Sequence, residues 1–387
     1  MSVRRSDLVV AGLGGIGSAT AYRAAGQGLD VVGLEQFHAL HDRGSSHGHS
    51  RIFRIAYFEA PEYVPLAQRS LEGWRRLETA TGESLLRTTG GLDLGRPGGR
   101  LLEGALSACI AHGIAHERWD AATLRARAPG LTLPDDMEGV FQKDAAILNP
   151  TCATGVHLRA ARETGAELRF GTRLLGWERE GEGLRLRVEG PEGETDIVTH
   201  RLILTAGAWL GSFAGFARAL PRIAVERQVV GWLPALPSTL AGHTFPVVNA
   251  GLDEGHVYLM PAHDGRGAKI GLYHHRGERV ENPDLPDPHP DATDRRLLQT
   301  IADRYLHGRE TIVQMRTCRF TLTPDEHFIV DALEGERVVV GGGFSGHGFK
   351  FAPAIAEILV ALARGHSPST SLDLFRLDRF VPTHTPE

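Results

Sequence analysis

Residues 7–36 read DLVVAGLGGIGSATAYRAAGQGLDVVGLEQ, and this stretch decides the fold. An apolar strand leads into a glycine-rich turn, a helix and a second strand that ends at Glu35. Gly12, Gly14 and Gly17 form the pattern G-x-G-x-x-G, which lets the backbone approach a pyrophosphate at the helix N-terminus, while the acid accepts ribose hydroxyls. The sequence therefore predicts a Rossmann-like α/β domain with a dinucleotide site.

A second glycine-rich loop lies near the other end of the chain. Residues 336–365, ERVVVGGGFSGHGFKFAPAIAEILVALARG, again predict a strand, a loop and a helix, the helix ending near Gly365. Two such loops from opposite ends of the chain suit FAD better than a nicotinamide cofactor, because FAD is longer. We predict a discontinuous FAD-binding domain of residues 1–85, 145–215 and 316–387, and an inserted α+β substrate domain of residues 86–144 and 216–315 on a mixed or antiparallel sheet.

Further elements follow from periodicity and turn residues. Residues 62–81 place apolar side chains at helical spacing and predict an amphipathic helix. The alternation around Leu184 predicts a half-solvated strand of a hairpin, followed by a buried strand at 202–205. The proline-rich and acidic residues 279–291 predict a surface loop, and a helix is expected at about 292–306.

Composition narrows the class of protein. The chain has 387 residues, enough for two domains. A net charge of −5 argues against general attraction to nucleic acid or to an anionic membrane. No apolar run approaches the roughly 18 residues of a spanning helix, and the N-terminus lacks the features of a signal peptide. The three widely spaced cysteines favour a cytoplasmic protein without disulfides.

Four segments carry a resemblance to a known family. GSSHGHSRIFRIAYFEAPEYVPLAQRSLEGWRRLE (44–78), CRFTLTPDEHFIVD (318–331) and GGGFSGHGFKF (341–351) resemble segments of monomeric sarcosine oxidase and N-methyltryptophan oxidase. The YRQVVG of that family appears as ERQVVG at 226–231. The resemblance runs from the first strand to the final helix.

The resemblance implies a flavin amine oxidase. Such an enzyme oxidises the C–N bond of a secondary amino acid to an imine and passes the electrons to O2, forming hydrogen peroxide. Water then hydrolyses the imine, so that sarcosine gives glycine and formaldehyde. The expected partners are a small amino acid and O2, and the expected state is a monomer. N-methyltryptophan, pipecolate or proline as substrate, and a flavin dehydrogenase that avoids O2, remain alternatives.

The same resemblance assigns residues to roles. Cys318 is expected to carry FAD through an 8α-thioether, with Arg316 and Arg319 favouring its thiolate. Arg51 is expected to lie against the flavin, while Arg54 and Lys350 grip the substrate carboxylate. Lys269 is expected to help O2 accept electrons. The predicted cofactor contacts are Cys318, Gly12, Gly14, Gly15, Gly17, Glu35, Ser45, Arg51, Gly346, Gly348 and Lys350.

The predicted substrate pocket departs from the family in part. Tyr258 matches a pocket tyrosine, and His47 matches a histidine near the flavin. Tyr273 stands where sarcosine oxidase has a histidine, with His274 next to it, and either one is a candidate to face the substrate. Phe320 replaces a tyrosine.

Other functional classes are disfavoured. His47 and His49 form H-x-H, but no nearby acid or cysteine completes a metal-ligand set, so no metal is predicted. An RNA-modifying domain is disfavoured by the negative charge and the lack of a basic tail. A NAD-dependent dehydrogenase would leave Cys318 and the C-terminal glycine loop without a purpose.

Overall fold

The structure is a computed structural model that describes residues 3–213, 221–234, 245–308, 310–333 and 337–380. Within these residues the α-helices are α1 (Gly15–Ala25), α2 (Tyr63–Thr81), α3 (Arg100–Ala111), α4 (Ala121–Arg127), α5 (Pro150–Glu163), α6 (Ala292–Tyr305) and α7 (Ala352–Ala363). Short 3-10 helices cover Gly207–Ser212, Phe349–Phe351, Asp373–Phe375 and Leu377–Phe380.

The strands of the described residues are, in chain order, β1 (Arg4–Ala11), β2 (Val31–Glu35), β3 (Arg51–Phe53), β4 (Leu86–Thr88), β5 (Gly91–Gly95), β6 (Glu117–Trp119), β7 (Glu138–Gln142), β8 (Ala146–Leu148), β9 (Glu167–Phe170), β10 (Arg173–Glu180), β11 (Gly183–Gly190), β12 (Gly193–Leu204), β13 (Ala224–Leu233), β14 (Val247–Leu252), β15 (Gly255–Met260), β16 (Ala268–Leu272), β17 (Gln314–Leu322), β18 (Ile329–Ala332) and β19 (Val338–Gly342).

The first sheet has the predicted Rossmann-like architecture. Its strand order is β10-β11-β12-β1-β2-β9, with β19 beside β12 and β18 beside β19. Neighbours in the series β12, β1, β2 and β9 are parallel, and β19 is parallel to β12. Helix α1 connects β1 to β2 and packs against α5 and α7, so that the sheet and these helices share one core. The predicted α/β fold is confirmed.

The predicted hairpin and buried strand form one continuous system. β11 and β12 are antiparallel, and Leu184, Leu186 and Val188 are buried as the alternation predicts. The prediction of a separate strand at 202–205 is wrong, because β12 runs unbroken from Gly193 to Leu204. Its first half pairs with β11, and its second half pairs with β1 and β19 in the parallel sheet.

The second sheet is mostly antiparallel, with the order β17-β13-β16-β15-β14-β5-β7-β6. Only the β14–β5 pair among these described strands is parallel. Helix α6 covers β13 and β16, and a separate apolar core lies on this side. The predicted boundary at residue 316 falls inside β17 of this sheet, and the boundary after residue 215 lies outside the described residues. A small sheet, β3-β8-β4, completes the architecture.

The predicted helix at 62–81 is α2, and it helps to position the site. Its apolar face buries Tyr63, Leu66, Trp74 and Leu77, and it ends at Gly82, whose φ of 72° is the left-handed conformation of a C-cap. The indole Nε1 of Trp74 donates to the backbone oxygen of Lys350 at 2.8 Å. A core residue of this helix therefore fixes the backbone of a predicted site residue.

The predicted surface loop 279–291 is held down by two buried arginines. Its residues, all of them described, form no helix or regular strand. Arg319 bonds Asp287 and the carbonyls of Pro283 and Leu285, and Arg227 bonds the carbonyl of Pro288. The helix expected next is α6, which begins after an Asp291 capping box. In the described part of the chain, no helix has the length and apolar character needed to span a membrane.

Candidate active site

Residues of both large sheets and their loops line one cavity of about 570 Å³. Its lining comes from the loops that follow β1, β2 and β19, and from one face of the second sheet. The carboxyl ends of parallel strands are the usual position of a ligand in α/β folds. All the predicted site residues except Gly17 line this cavity.

The glycines of the first loop act through close backbone approach. Gly12 has a φ of 93°, and a Cβ there would lie 2.6 Å from the carbonyl oxygen of Thr205. A Cβ on Gly17 would lie 1.8 Å from the carbonyl oxygen of Gly12, so Gly17 allows the helix to pack rather than lining the cavity. Gly14 and Gly15 open α1 without a side-chain cap, and Ser46 Oγ accepts from the Gly15 N–H at 2.8 Å.

The predicted ribose-binding acid also braces this loop. Glu35 is buried, and its carboxylate accepts hydrogen bonds from the backbone N–H groups of Leu13 at 3.0 Å and Phe37 at 3.1 Å. The remaining lone pairs of a carboxylate can still accept from a ligand hydroxyl.

One face of the second sheet supplies the opposite wall. Successive side chains of a strand point to opposite faces, so register decides which residues meet. Gln228 of β13 lies opposite Cys318 of β17, and Tyr258 of β15 lies opposite Gly271 of β16. A Cβ on Gly271 would lie 2.2 Å from the Tyr258 ring, so glycine is what makes room for that tyrosine.

Arg51 organises the loop GSSHGHS that precedes it. Its guanidinium donates to the carbonyl oxygens of Ser45, His47 and Ser50, each at 2.9 Å. The same guanidinium lies 3.9 Å from the Cys318 Sγ. Burial alone would raise the pKa of the Cys318 thiol, but a hydrogen bond with His47 and the charge of Arg51 lower it to about 6.

The expectation that Arg319 favours this thiolate is wrong, whereas the expectation for Arg316 stays a prediction. Arg319 follows Cys318 on the strand and therefore points to the other face, where Asp287 holds it. Arg316 is exposed. The charges that act on Cys318 come instead from Arg51, His47 and Lys269.

Lys269 is a buried cation in the cavity wall. Its Nζ donates to the backbone oxygen of Ser50 at 3.1 Å, and only 6% of the residue is exposed. Burial, reinforced by the charge of Arg51, lowers the pKa of Lys269 to about 7. An anion placed beside the amine would raise this pKa and hold Lys269 in its charged form.

Arg54 is buried in a bidentate contact with a carboxylate of its own chain. Its Nη2 alone donates to both carboxylate oxygens of Glu59 at 2.8 Å, and its Nη1 donates to the Ala56 carbonyl oxygen at 2.8 Å. These three bonds leave two of the five guanidinium N–H groups for a ligand. Burial alone would raise the pKa of Glu59, but Arg54 holds it down at about 2.

A buried polar network supports the Arg54 loop from behind. The Ala56 N–H donates to Gln142 at 2.7 Å, and Gln142 donates to Asp93 at 3.0 Å. Asn249, which lines the cavity, donates to the other Asp93 oxygen at 3.0 Å. Burial raises the pKa of Asp93. The network couples the loop to the second sheet.

Lys350 approaches the same region from the C-terminal glycine loop. Its Nζ donates to the Tyr57 hydroxyl at 3.0 Å and to the His347 carbonyl oxygen at 3.1 Å. Burial, with repulsion from Arg54, lowers the pKa of Lys350 to about 7. Gly346 and Gly348 give this loop its path, since a Cβ on Gly348 would lie 2.4 Å from Phe344.

The structure separates the two candidates that followed Lys269. Tyr273 lines the cavity and packs against Phe320, with ring centroids 5.0 Å apart. His274 turns away, and its ring nitrogens meet Glu226 at 2.9 Å and Glu326 at 2.8 Å. Those two hydrogen bonds raise the pKa of His274 to about 9. Tyr273 is therefore the residue of the pair that faces the cavity.

The residues present fit FAD. The glycine loop leaves backbone N–H groups at a helix N-terminus, and Cys318 offers a nucleophilic sulfur in the cavity lining. Thr154 and Gln228 line the cavity, and their side-chain atoms Oγ1 and Oε1 are buried without a hydrogen-bond partner in the described structure. Buried polar atoms of this kind are expected where a polar ligand completes the bonding.

Residues of the site that sequence reasoning missed include Ser46, Glu59 and His256. The sequence does carry a signal for His256, because this residue stands two positions before Tyr258 on the same strand and therefore shares its face. A further signal was the lysine count. The chain contains three lysines, and the two inside glycine-rich motifs, Lys269 and Lys350, are the two that line the cavity.

Comparison with known proteins places these features in a family. The family model described as FAD dependent oxidoreductase matches residues 7–362. Monomeric sarcosine oxidase from Streptomyces avermitilis is 34% identical over 382 residues, covering 95% of this chain and 96% of the relative. N-methyl-L-tryptophan oxidase from Salmonella typhi is 31% identical over 379 residues, covering 97% and 99%.

Solved structures show the same fold at lower identity. NikD, an amino acid oxidase essential for nikkomycin biosynthesis, superimposes with a TM-score of 0.82 at 22% identity, covering 97% of this chain and 98% of the other. L-proline dehydrogenase from P. horikoshii has a TM-score of 0.83 at 20% identity, with 98% of each chain covered. These likenesses bear on the fold alone.

Proposed function

The chain belongs to the family of FAD-dependent oxidoreductases, as its sequence predicts, and we propose that it oxidises the C–N bond of an N-methyl amino acid. Sarcosine is the simplest such substrate. The observation that carries the proposal is the convergence of Arg54, Lys350 and Lys269 on one cavity that also holds Cys318. The products are an imine and hydrogen peroxide from O2, and hydrolysis of the imine gives the demethylated amino acid and formaldehyde.

The charged residues of the cavity take different roles in the proposed reaction. FAD, when bound, supplies the two-electron acceptor. Arg54 and Lys350 bind the substrate carboxylate and so orient the N-methyl group, and the Glu59 carboxylate faces the cationic amine. Arg51 contributes a fixed positive charge beside the electron acceptor. Lys269 provides a second cation, which stabilises the negative charge that O2 acquires as it is reduced.

The alternative functions are a flavin dehydrogenase and an oxidase of another secondary amino acid. A flavin dehydrogenase has no use for a buried cation aimed at O2, so Lys269 favours an oxidase. Pipecolate, proline and N-methyltryptophan carry the same carboxylate and secondary amine as sarcosine, and they differ only in the side chain or ring. The cytoplasmic location and the monomeric state remain predictions.

Turnover of sarcosine tests the function directly. We expect the purified flavoprotein to consume O2 with sarcosine and to release hydrogen peroxide and formaldehyde in equal amounts. Peroxide and formaldehyde assays on the same samples provide the measurement, with N,N-dimethylglycine and glycine as neighbouring amines. A reduced flavin that O2 fails to reoxidise would identify a dehydrogenase instead.

Cys318 is proposed as the covalent attachment point of FAD, on the strength of its lowered pKa and its place in the cavity. We expect the yellow colour of the wild type to remain with the protein after acid precipitation. Cys318→Ser should release all flavin into the supernatant, whereas Cys109→Ser, at a buried cysteine outside the cavity lining, should release none. Retention of flavin by the Cys318→Ser protein would show that another residue is the attachment point.

Lys269 is proposed to act in the reaction with O2. Lys269→Met removes the cation at nearly constant volume, and we expect reoxidation of the reduced enzyme to slow by roughly a hundredfold or more. Anaerobic reduction by substrate should change much less. Stopped-flow measurement of both half-reactions checks this, with Lys143→Met at an exposed lysine as the control. Normal reoxidation of the Lys269→Met enzyme would contradict the assignment.

Arg54 and Lys350 are proposed to share the substrate carboxylate. A charge-assisted hydrogen bond contributes roughly 1.5–3 kcal/mol, so Arg54→Ala or Lys350→Ala should weaken acetate binding about ten- to a hundredfold. Glu59→Gln should act in the opposite direction, because it removes a negative charge beside the acetate. Titration by the flavin spectral change gives the dissociation constants. If both alanine variants bind acetate as the wild type does, the carboxylate binds elsewhere.

A further inference from the structure

His256 occupies a wall of the cavity to which neither the sequence motifs nor the proposed reaction assigns a role. It lies on β15, two residues before Tyr258, and lines the cavity. Its ring stacks on Tyr273, with centroids 5.3 Å apart and planes 30° apart. The edge of Phe58 meets the same ring at 5.3 Å. The imidazole is therefore held in place by aromatic contacts on two sides.

The imidazole has hydrogen-bonding capacity that the described residues do not use. Its Nε2 is buried and has no hydrogen-bond partner among the described residues. Burial lowers the pKa of His256 to about 4, so the ring is neutral at physiological pH and offers one donor and one acceptor. An imidazole whose nitrogen lacks a partner is unfavourable in a buried site, and the ring offers its hydrogen-bonding capacity to a ligand in the cavity that His256 lines.

The neighbouring tyrosine cannot donate a hydrogen bond to a ligand. The Tyr273 hydroxyl donates to the Ser345 carbonyl oxygen, and its ring packs on Phe320. Its oxygen can only accept, so in the wall formed by Tyr273, Phe320 and His256 the imidazole is the group that offers both a donor and an acceptor.

The wall lies close to the proposed carboxylate site. The Phe58 ring, whose centroid lies 5.3 Å from that of His256, also lies 4.8 Å from the Arg54 guanidinium carbon. A substrate whose carboxylate is held by Arg54 and Lys350 thus has its α-carbon substituent within the same polar region. Sarcosine has no such substituent and leaves the wall without a partner.

We infer that His256 forms a hydrogen bond with a polar group on the substrate side chain. The wall formed by Tyr273, Phe320 and His256 is then a subsite for a planar side chain that carries such a group. The inference rests on the proposed oxidation of N-methyl amino acids. It makes His256 a determinant of specificity, acting on which amino acid is preferred rather than on the oxidation of the C–N bond.

Two matched pairs of substrates test this inference. N-methyltyrosine differs from N-methylphenylalanine by one hydroxyl, and N-methyltryptophan differs from its 1-methylindole derivative by one N–H. We expect wild-type kcat/KM to favour the hydrogen-bonding member of at least one pair by about tenfold or more. Sarcosine is measured alongside as the reference without a side chain.

His256→Phe is the decisive variant, because it keeps an aromatic ring against Tyr273 and removes both nitrogens. We expect the ratio within the preferred pair to fall to about one. The matched control is His157→Phe, at another buried neutral histidine with an unpartnered Nδ1, which packs on Trp74 and does not line the cavity. That control should keep the wild-type ratio.

The outcomes separate this inference from the proposed function. Equal kcat/KM within both pairs in the wild type, or a preference that survives in His256→Phe, would overturn it. Turnover of sarcosine without turnover of any of the four larger acids would overturn it as well, since no side-chain subsite would then exist. Failure of every N-methyl amino acid, sarcosine included, with flavin bound would instead refute the proposed function.

Discussion

The cavity depends on positive charge held away from water, and Arg51 is where that charge is fixed. A guanidinium cannot shed its proton, so it must be satisfied where it stands. The loop GSSHGHS satisfies it with the carbonyls of Ser45, His47 and Ser50, and the loop takes its shape from that requirement. Burial lowers the pKa of Lys269 to about 7 and a hydrogen bond with His47 lowers the pKa of Cys318 to about 6, and the charge of Arg51 reinforces both shifts. One side chain on β3 thus acts on two titratable groups of the second sheet.

Lysine and arginine are used differently in this chain. The protein contains three lysines in 387 residues, and two of them stand in the cavity. Arginine keeps its charge in any surroundings, which suits Arg51 and Arg54, both of which have fixed partners. The ammonium of a buried lysine responds to the anions beside it, and the pKa of both Lys269 and Lys350 is lowered to about 7. The proposed site binds a carboxylate of constant charge and also stabilises O2 as its charge changes, so it needs groups of both kinds.

The sequence predicted what is encoded locally. The turn at Gly12, the helices at 62–81 and 292–306, and the fold class follow from spacing, and the structure agrees. The role given to Arg319 failed because strand alternation sends it to the opposite face, a rule that applies as soon as the strand is known. The pairing of Arg54 with Glu59 had no such signal, since the connecting loop has no periodicity. The placement of β17 in the second sheet depends on pairing with β13, which only the folded chain defines.

The bond between Lys350 and Tyr57 has a consequence for how the protein is made. Its two residues are 293 positions apart. At a synthesis rate of about 5–20 residues per second, Tyr57 is synthesised roughly 15–60 s before its partner. During that interval the residues of the Rossmann turn, of α1 and of the Arg54–Glu59 pair precede those of the final glycine loop. The complete cavity can therefore form only after Lys350 has been synthesised, near the end of the chain.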